Sequence, residues 1–307
     1  MTVDDLWGVI KAAVSGWIDD YAQSMGAALA YYTMFSMAPL LLIVISIAGL
    51  AFGDEAARGE IFSQLEGMLG PSGALAVQGL LESVRKPSES VAATIFGVVL
   101  LLIGATSVFG ELQDALDRIW RAPVRGGQSG WWRLVRARLL SFGLILGIGF
   151  LLIVSLVASA ALAALQKWWG PVFREWAAAS IIEVVLSFLV TTIAFAMIYK
   201  IVPRVRIHWK DVWIGATTTA LLFTVGKVLI GAYIGRSGIA SGFGAAASLV
   251  VVLVWVYYSA QIFLLGAEFT RAYAHKFGSR RNLPSEDTAA GVVPAAPAAG
   301  ANKNGPP

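Results

Sequence analysis

Lys227 is the residue whose type and position most demand a chemical explanation. It interrupts the apolar stretch 212–234, and an ammonium inside a hydrophobic crossing is costly unless it faces a bundle interior or a watery cavity. Glu183 lies in the preceding apolar stretch, near the same membrane face. Consecutive crossings run antiparallel, so at the helical rise the two charges sit at depths about 3 Å apart. Together they suit the charged lining or gate of a solute path. A structural ion pair, or a lysine snorkelling outward, is the alternative.

A second group follows the second apolar stretch: Glu111, Gln113, Asp114, Asp117, Arg118 and Arg121. Glu111, Asp114, Arg118 and Arg121 share one helical face by their spacing. Glu268 and Arg271 end the last apolar stretch. Such residues make the mouth of a polar path, or the salt bridges of a membrane rim. In the first apolar stretch Tyr31, Tyr32, Thr33, Ser36 and Pro39 break the pattern. Pro39 removes a backbone donor and kinks the helix, and broken helices line the binding regions of transporters.

Other chemistry finds no residues. The chain has no cysteine and two histidines, His208 and His275, so thiolate sites are excluded and no histidine spacing suits a hydrolytic metal. The run Gly235–Gly244 is rich in glycine, but it lacks the Lys-Ser/Thr ending of a phosphate-binding loop. Neither a catalytic constellation, a cofactor nor a metal site is expected.

These residues need elements to hold them. Of 307 residues, 57% are hydrophobic and 14% charged; a soluble globule carries about a quarter charged. A bilayer core takes roughly 20 apolar residues per helical crossing. Six stretches qualify: about 27–52, 92–110, 139–165, 178–199, 212–234 and 245–267. None alternates with period two, so the fold class is all-α, a polytopic bundle of six transmembrane helices. Gly143 and Gly147, and Gly231 and Gly235, offer small-residue surfaces for close helix approach.

Lysine and arginine set the orientation. The N-terminal segment, 111–138, 200–211 and the tail from Arg271 hold sixteen, against six in 53–91, 166–177 and 235–244. Both termini are therefore expected in the cytoplasm. The net charge of +4 is absorbed by topology, and no nucleic-acid partner is called for. Trp120, Trp131, Trp132, Trp168, Trp169, Trp176, Trp209 and Trp213 fall at crossing ends, where indole rings favour the headgroup region.

Three domains result. Residues 1–25 form an amphipathic helix with Trp7, Ile10, Val14, Trp17, Ile18 and Tyr21 at helical spacing, lying on the membrane or against the bundle. Residues 26–278 are the membrane domain; its loop 53–91 carries two short amphipathic helices separated by Gly70-Pro71. Residues 279–307 are a cytoplasmic tail. From Pro284, 15 of 24 residues are Pro, Ala or Gly, a composition that does not order itself.

The chain resembles the YihY/BrkB family of bacterial inner-membrane proteins, once labelled ribonuclease BN. The resemblance covers roughly 20–278. It rests on Ala28-Leu-Ala-Tyr-Tyr-Thr-Met-Phe-Ser-Met-Ala-Pro39 and Phe109-Gly-Glu-Leu-Gln-Asp-Ala-Leu-Asp-Arg-Ile-Trp120. Tyr199-Lys-Ile-Val-Pro203, Gly226-Lys227, Phe243-Gly-Ala-Ala-Ala-Ser248 and Leu264-Leu-Gly-Ala-Glu268 add to it. The resemblance implies a six-helix membrane protein with roles in transport, the envelope or virulence; nothing in these residues supports a nuclease.

The expected function is transport or export of a small polar or amphiphilic solute across the inner membrane. Lys227 and Glu183 line or gate the path, Glu111 and Glu268 form its cytoplasmic mouth, and Tyr32 and Pro39 shape it. Membrane lipid and an unidentified solute are the partners, and homo-oligomerisation stays open. An envelope scaffold is the alternative, and a membrane-associated ribonuclease ranks last.

Overall fold

The computed structural model describes residues 3–36, 107–123, 178–236 and 247–281, with 53, 55, 58, 59, 61–63, 66, 74, 75, 77 and 78 between the first two. Every regular element among the described residues is helical. Helix α1 is Val3–Asp19, α2 covers 22–36 and α3 107–119. Three long helices follow: α4, Ala178–Ile201; α5, Trp209–Arg236; and α6, Ala247–Lys276. Within them Val184–Ile201, Trp209–Ile234 and Leu249–Lys276 are long and apolar enough to cross a membrane. These match the fourth, fifth and sixth expected crossings. The third, at 139–165, lies outside the described residues, as do 37–52 of the first and 92–106 of the second, Gly143, Gly147, Pro39, Gly70, Pro71 and the chain from 282.

Helices α4, α5 and α6 pack antiparallel in sequence. Between α4 and α5, Phe195 meets Phe223 edge-on at 5.6 Å, and the Tyr199 hydroxyl lies 3.0 Å from Thr219 Oγ1. The α5–α6 seam is closed by two glycines and two threonines. A Cβ at Gly215 would overlap Thr270, and one at Gly266 would overlap Thr219 and the Tyr199 hydroxyl. Each threonine turns its hydroxyl back onto its own helix: Thr219 donates to Gly215 O at 2.8 Å, and Thr270 to Gly266 O at 2.6 Å. Hydroxyls that would be stranded in an apolar seam are thereby satisfied. Lipid gives helices no hydrophobic reason to associate, so small residues that admit a close approach supply the packing instead. Gly226 repeats the device against Ile262 and Tyr258. Gly231 does not, since a Cβ there meets nothing within 4 Å.

The outward sides of these helices show Val184, Val185 and Leu189 on α4, Leu221, Val225, Val228 and Leu229 on α5, and Leu253 on α6. Such a surface suits acyl chains. At one end of the bundle Val77 is buried with Ile230, Ile234, Val251, Val252 and Trp255, so part of the 53–91 segment covers α5 and α6 there. The opposite end carries the 202–208 linker between α4 and α5, α1, α3 and the end of α6; it is called the linker end below.

Helix α1 has three faces. Val9 and Ala13 are buried against Phe269, Ala272, Tyr273 and Phe277 of α6 and the residues after it. About a third of a turn away, Trp7, Ile10, Val14 and Ile18 remain exposed, as does Tyr21 beyond the helix end. Asp4, Lys11, Ser15 and Asp19 occupy the third face. The apolar stripe read from the sequence is thus largely not the bundle-facing one: small residues make the contact with α6, Trp17 packs against the bundle core, and Trp7, Ile10, Val14 and Ile18 point away.

Candidate functional site

Two helix ends bring charge into the interior of the linker end. Helix α1 closes with the Asp20 N–H donating to Gly16 O at 2.9 Å. Tyr21 then adopts φ 56° to reverse the chain into α2. Helix α3 closes with Arg121 at φ 48° and the Ala122 N–H reaching back to Asp117 O at 2.8 Å, the pattern that satisfies last-turn carbonyls. Tyr21 and Arg121 are the non-glycine residues with positive φ among the described residues. A left-handed conformation costs such residues free energy, and it persists where surrounding structure demands it. Here it aims Asp20 and Arg121 at each other: Arg121 Nη1 lies 2.6 Å from Asp20 Oδ1.

Asp20, 3% exposed, faces Glu268 on α6, 2% exposed. Glu268 fits because α1 has glycine opposite: a Cβ at Gly16 would come within 2.6 Å of Glu268 Oε2. Arg271, one turn further along α6, places Nη1 3.7 Å from that oxygen. Two acids from separate elements are therefore flanked by two arginines. Asp20 Oδ2 and Glu268 Oε1 are buried without a hydrogen-bond partner among the described residues, as are Trp17 Nε1, Trp120 Nε1 and Gln261 Oε1. Gln261 lies two turns before Glu268 on α6, and its amide nitrogen donates to Gln23 O on α2 at 3.4 Å. Buried polar atoms normally find partners; these five, with Asp117 Oδ2 as a sixth whose contact is the Arg204 ion pair, mark this region as unlike the seams.

Around this quartet runs a second set of polar contacts that brace the elements. Gln113 Nε2 donates to Val202 O at 3.2 Å, and Asp117 Oδ1 accepts the Arg204 N–H at 2.8 Å. Arg204 Nε lies 3.2 Å from Asp117 Oδ2. Burial nonetheless raises the Asp117 pKa, outweighing the Arg204 contacts that lower it. Buried Asp211 at the start of α5 accepts from Ser279 N at 3.1 Å and Ser279 Oγ at 2.6 Å, which pins the segment after α6. Lys200 Nζ donates to Ile207 O across the linker and stands 5.4 Å over the Trp209 ring. Arg280 covers the Trp120 ring at 5.2 Å; burial lowers its pKa, with Arg271 adding to the effect and Asp211 opposing it. Lys276 reaches back to Asp5 at 3.3 Å.

The residues singled out from the sequence divide among these sets. Glu268 stands in the buried quartet. Glu111 is half-buried on α3; burial raises its pKa, then Asp114, while Arg118 opposes. The charges acting at Glu268 come from Asp20, Arg271 and Arg121, so the two glutamates belong to separate groups. Tyr32 lies on α2 with its ring 5.6 Å from Tyr31, edge-on. Lys227 is half-buried on α5 beside the Gly226 approach to α6. Glu183 lies on α4, but its side chain, like Pro39, falls outside the described residues.

Three participants escaped the sequence reading: Asp20, Gly16 and Gln261. Asp20 looks like the polar end of an amphipathic helix, and a lone glycine in a membrane chain carries little signal. The usable sign was Glu268 itself, an acid at the end of an apolar stretch that needs a partner from another element. Trp120 also departs from expectation. It is buried beneath Arg280, whereas Trp209 and Trp213 are exposed near the linker end.

Comparison with known proteins agrees with this architecture. The sequence profile described as Virulence factor BrkB matches residues 13–290. A protein named UPF0761 membrane protein from Pseudomonas paraeruginosa is 29% identical over 281 residues, 90% of this chain and 66% of its own length. Proteins of the same name from Tolumonas auensis and Psychromonas ingrahamii are 28% and 30% identical, covering 79% of this chain and 77% and 79% of theirs. The chain thus spans slightly less than two thirds of the Pseudomonas relatives it matches. No solved structure matches. With the profile covering nearly the whole chain and three helices fit to cross a membrane, the chain belongs to the BrkB family of integral membrane proteins.

Proposed function

We propose that this protein moves a small polar or amphiphilic solute across the bacterial inner membrane, doing no chemistry on it. In this reading the linker end faces the cytoplasm and the Asp20–Arg121–Glu268–Arg271 quartet forms the inner part of the path. The observation that carries it is that quartet. Two acids under 4% exposed and two arginines are gathered from the ends of α1 and α3 and from α6, around them hydrogen-bonding atoms without a partner among the described residues. Structure alone rarely warrants this, because replacing a buried ion pair by apolar residues is often neutral or stabilising. Polar groups held ready in an apolar bundle are what a passing polar solute requires. Lys227 and Glu183, in the half of the bundle away from the linker end, supply charge further along the same crossing.

The bracing contacts around Asp117 and Asp211 favour a second reading, a rigid envelope scaffold that transports nothing. Purified protein reconstituted in liposomes and screened with panels of organic anions, cations, zwitterions and lipids separates them. Transport predicts movement of at least one class over empty liposomes, with Glu268→Gln slowing it tenfold or more. No movement of any class, or equal movement by the Gln variant, contradicts it.

A further inference from the structure

Phe195 meets Phe223 and Tyr199 meets Thr219. These two contacts fix the antiparallel register of α4 and α5: each step along α5 away from the linker is matched by a step back along α4. Lys227, one turn beyond Phe223, therefore stands level with Thr191 and Thr192, near the middle of the apolar segment Val184–Ile201. Glu183 lies two further turns from the linker end, about 12 Å along the axis. The sequence puts no other carboxylate in the six apolar stretches.

Lys227 also leaves its helix on the bundle side. Ala220, Lys227 and Ile234 follow one line along α5 at seven-residue spacing, and both neighbours on that line are buried. The exposed Leu221, Val225 and Val228 lie about 100° or more around the helix, on the side from which a lysine snorkels. The hydroxyl protons near this level are already engaged: Thr191 donates to Ser187 O, Thr192 to Phe188 O and Thr224 to Ala220 O, each at 2.8 Å. Among the described residues the ion pairs use Arg121, Arg204, Arg271 and Lys276, and Lys227 has neither an ion pair nor a hydrogen bond.

An ammonium at this depth is costly alone. It offers three donors and a positive charge, so what completes it must bring acceptor oxygens and negative charge. We propose that Lys227 is the binding site for an anionic group, a carboxylate or a phosphate, on a ligand that enters between α4 and α5. The solute of the transport reading is then an anion. That identification rests on the transport reading above, whereas anion binding at Lys227 does not.

Binding is read without flux, as the melting temperature of the full chain in phosphatidylcholine nanodiscs at constant ionic strength. Succinate and inorganic phosphate are the soluble probes, phosphatidylglycerol blended into the disc is the lipid one, and putrescine is the cationic control. The expected result is a saturable rise with at least one anionic probe and none with putrescine. Apparent affinity should weaken tenfold or more in Lys227→Gln and stay within threefold of wild type in Lys227→Arg. A response to phosphatidylglycerol alone identifies a lipid headgroup as the ligand, and a response to the soluble probes identifies a free anion. The wild type gives a second readout without substitution: the bound probe should shield Lys227 from acetic anhydride, measured by mass spectrometry. No rise with any anion, an equal rise with putrescine or in Lys227→Gln, or acetylation of Lys227 unchanged by the probe overturns the proposal. Failure of the transport reading looks different: anion binding persists, and liposomes show no solute movement.

Discussion

Asp117 accepts the Arg204 N–H at 2.8 Å and faces its guanidinium, yet burial leaves its pKa raised. The sign of the consequence follows. A raised carboxyl favours folding fully below its unfolded value, about pH 4, and that contribution is lost as pH rises through the folded value. Asp117→Asn should therefore flatten part of the fall in melting temperature between acid and neutral pH. Half-exposed Arg204 limits the ion pair that is lost, so the change at neutral pH should stay within about 1 kcal/mol. Melting curves of the two proteins across that range check it, and parallel profiles would remove Asp117 from the account. Glycine gives a matched pair of tests. Gly266→Ala drives a Cβ into Thr219 and the Tyr199 hydroxyl and should cost about 1–3 kcal/mol. Gly231→Ala meets open space and should be neutral or stabilising by up to about 1 kcal/mol. Equal effects would show that the α5–α6 seam is not where the structure puts it.

Helix α1 shows how an element can sit at a three-way boundary. Its small residues Val9, Ala13 and Gly16 face α6, its large ones Trp7, Ile10, Val14 and Ile18 face outward, and its charges take the remaining side. From that arrangement the stripe is predicted to lie in the headgroup and upper acyl region. Trp7 fluorescence, isolated by replacing the other tryptophans, should be quenched by bromine carried shallow on the lipid chains, and Ile10→Lys should weaken the quenching at least twofold. Quenching by a water-soluble agent alone would put α1 off the membrane. The sequence made the helix legible because its large residues recur at 3.6-residue spacing. Which face meets the bundle was not legible, because glycine and alanine have no apolar bulk to register in a pattern and yet allow the closest approach. The same limit applies to the seams: Gly231-x-x-x-Gly235 had the better motif, while Gly215 and Gly266 have the threonines opposite them. Long crossings such as α4 were readable from length and apolar content alone; the Asp20–Glu268 pairing, 248 positions apart in the chain, was not readable at any spacing.

At the scale of the whole molecule, the linker end gathers α1, α3, the α4–α5 linker and the residues after α6 into one polar layer. The bias of basic residues predicts this layer to be cytoplasmic. Reporter fusions after Arg125 and Arg281 should then read cytoplasm and one near Gly70 the opposite side; a cytoplasmic Gly70 would reverse the orientation. Ending the chain after Arg281 should leave membrane insertion and melting unchanged, whereas ending it after Lys276 removes Ser279 from Asp211 and Arg280 from Trp120 and should lower the melting temperature by several degrees. In this layer Asp117 and Asp211 brace the elements, while the proposed path runs by Glu268. The most direct test measures solute flux per folded molecule and melting temperature together in liposomes, for Asp211→Asn and Glu268→Gln. The prediction is a crossed result: Asp211→Asn melts earlier with flux per folded molecule kept, and Glu268→Gln melts no earlier with flux lost tenfold or more. Flux that follows melting temperature alike in both variants would contradict it.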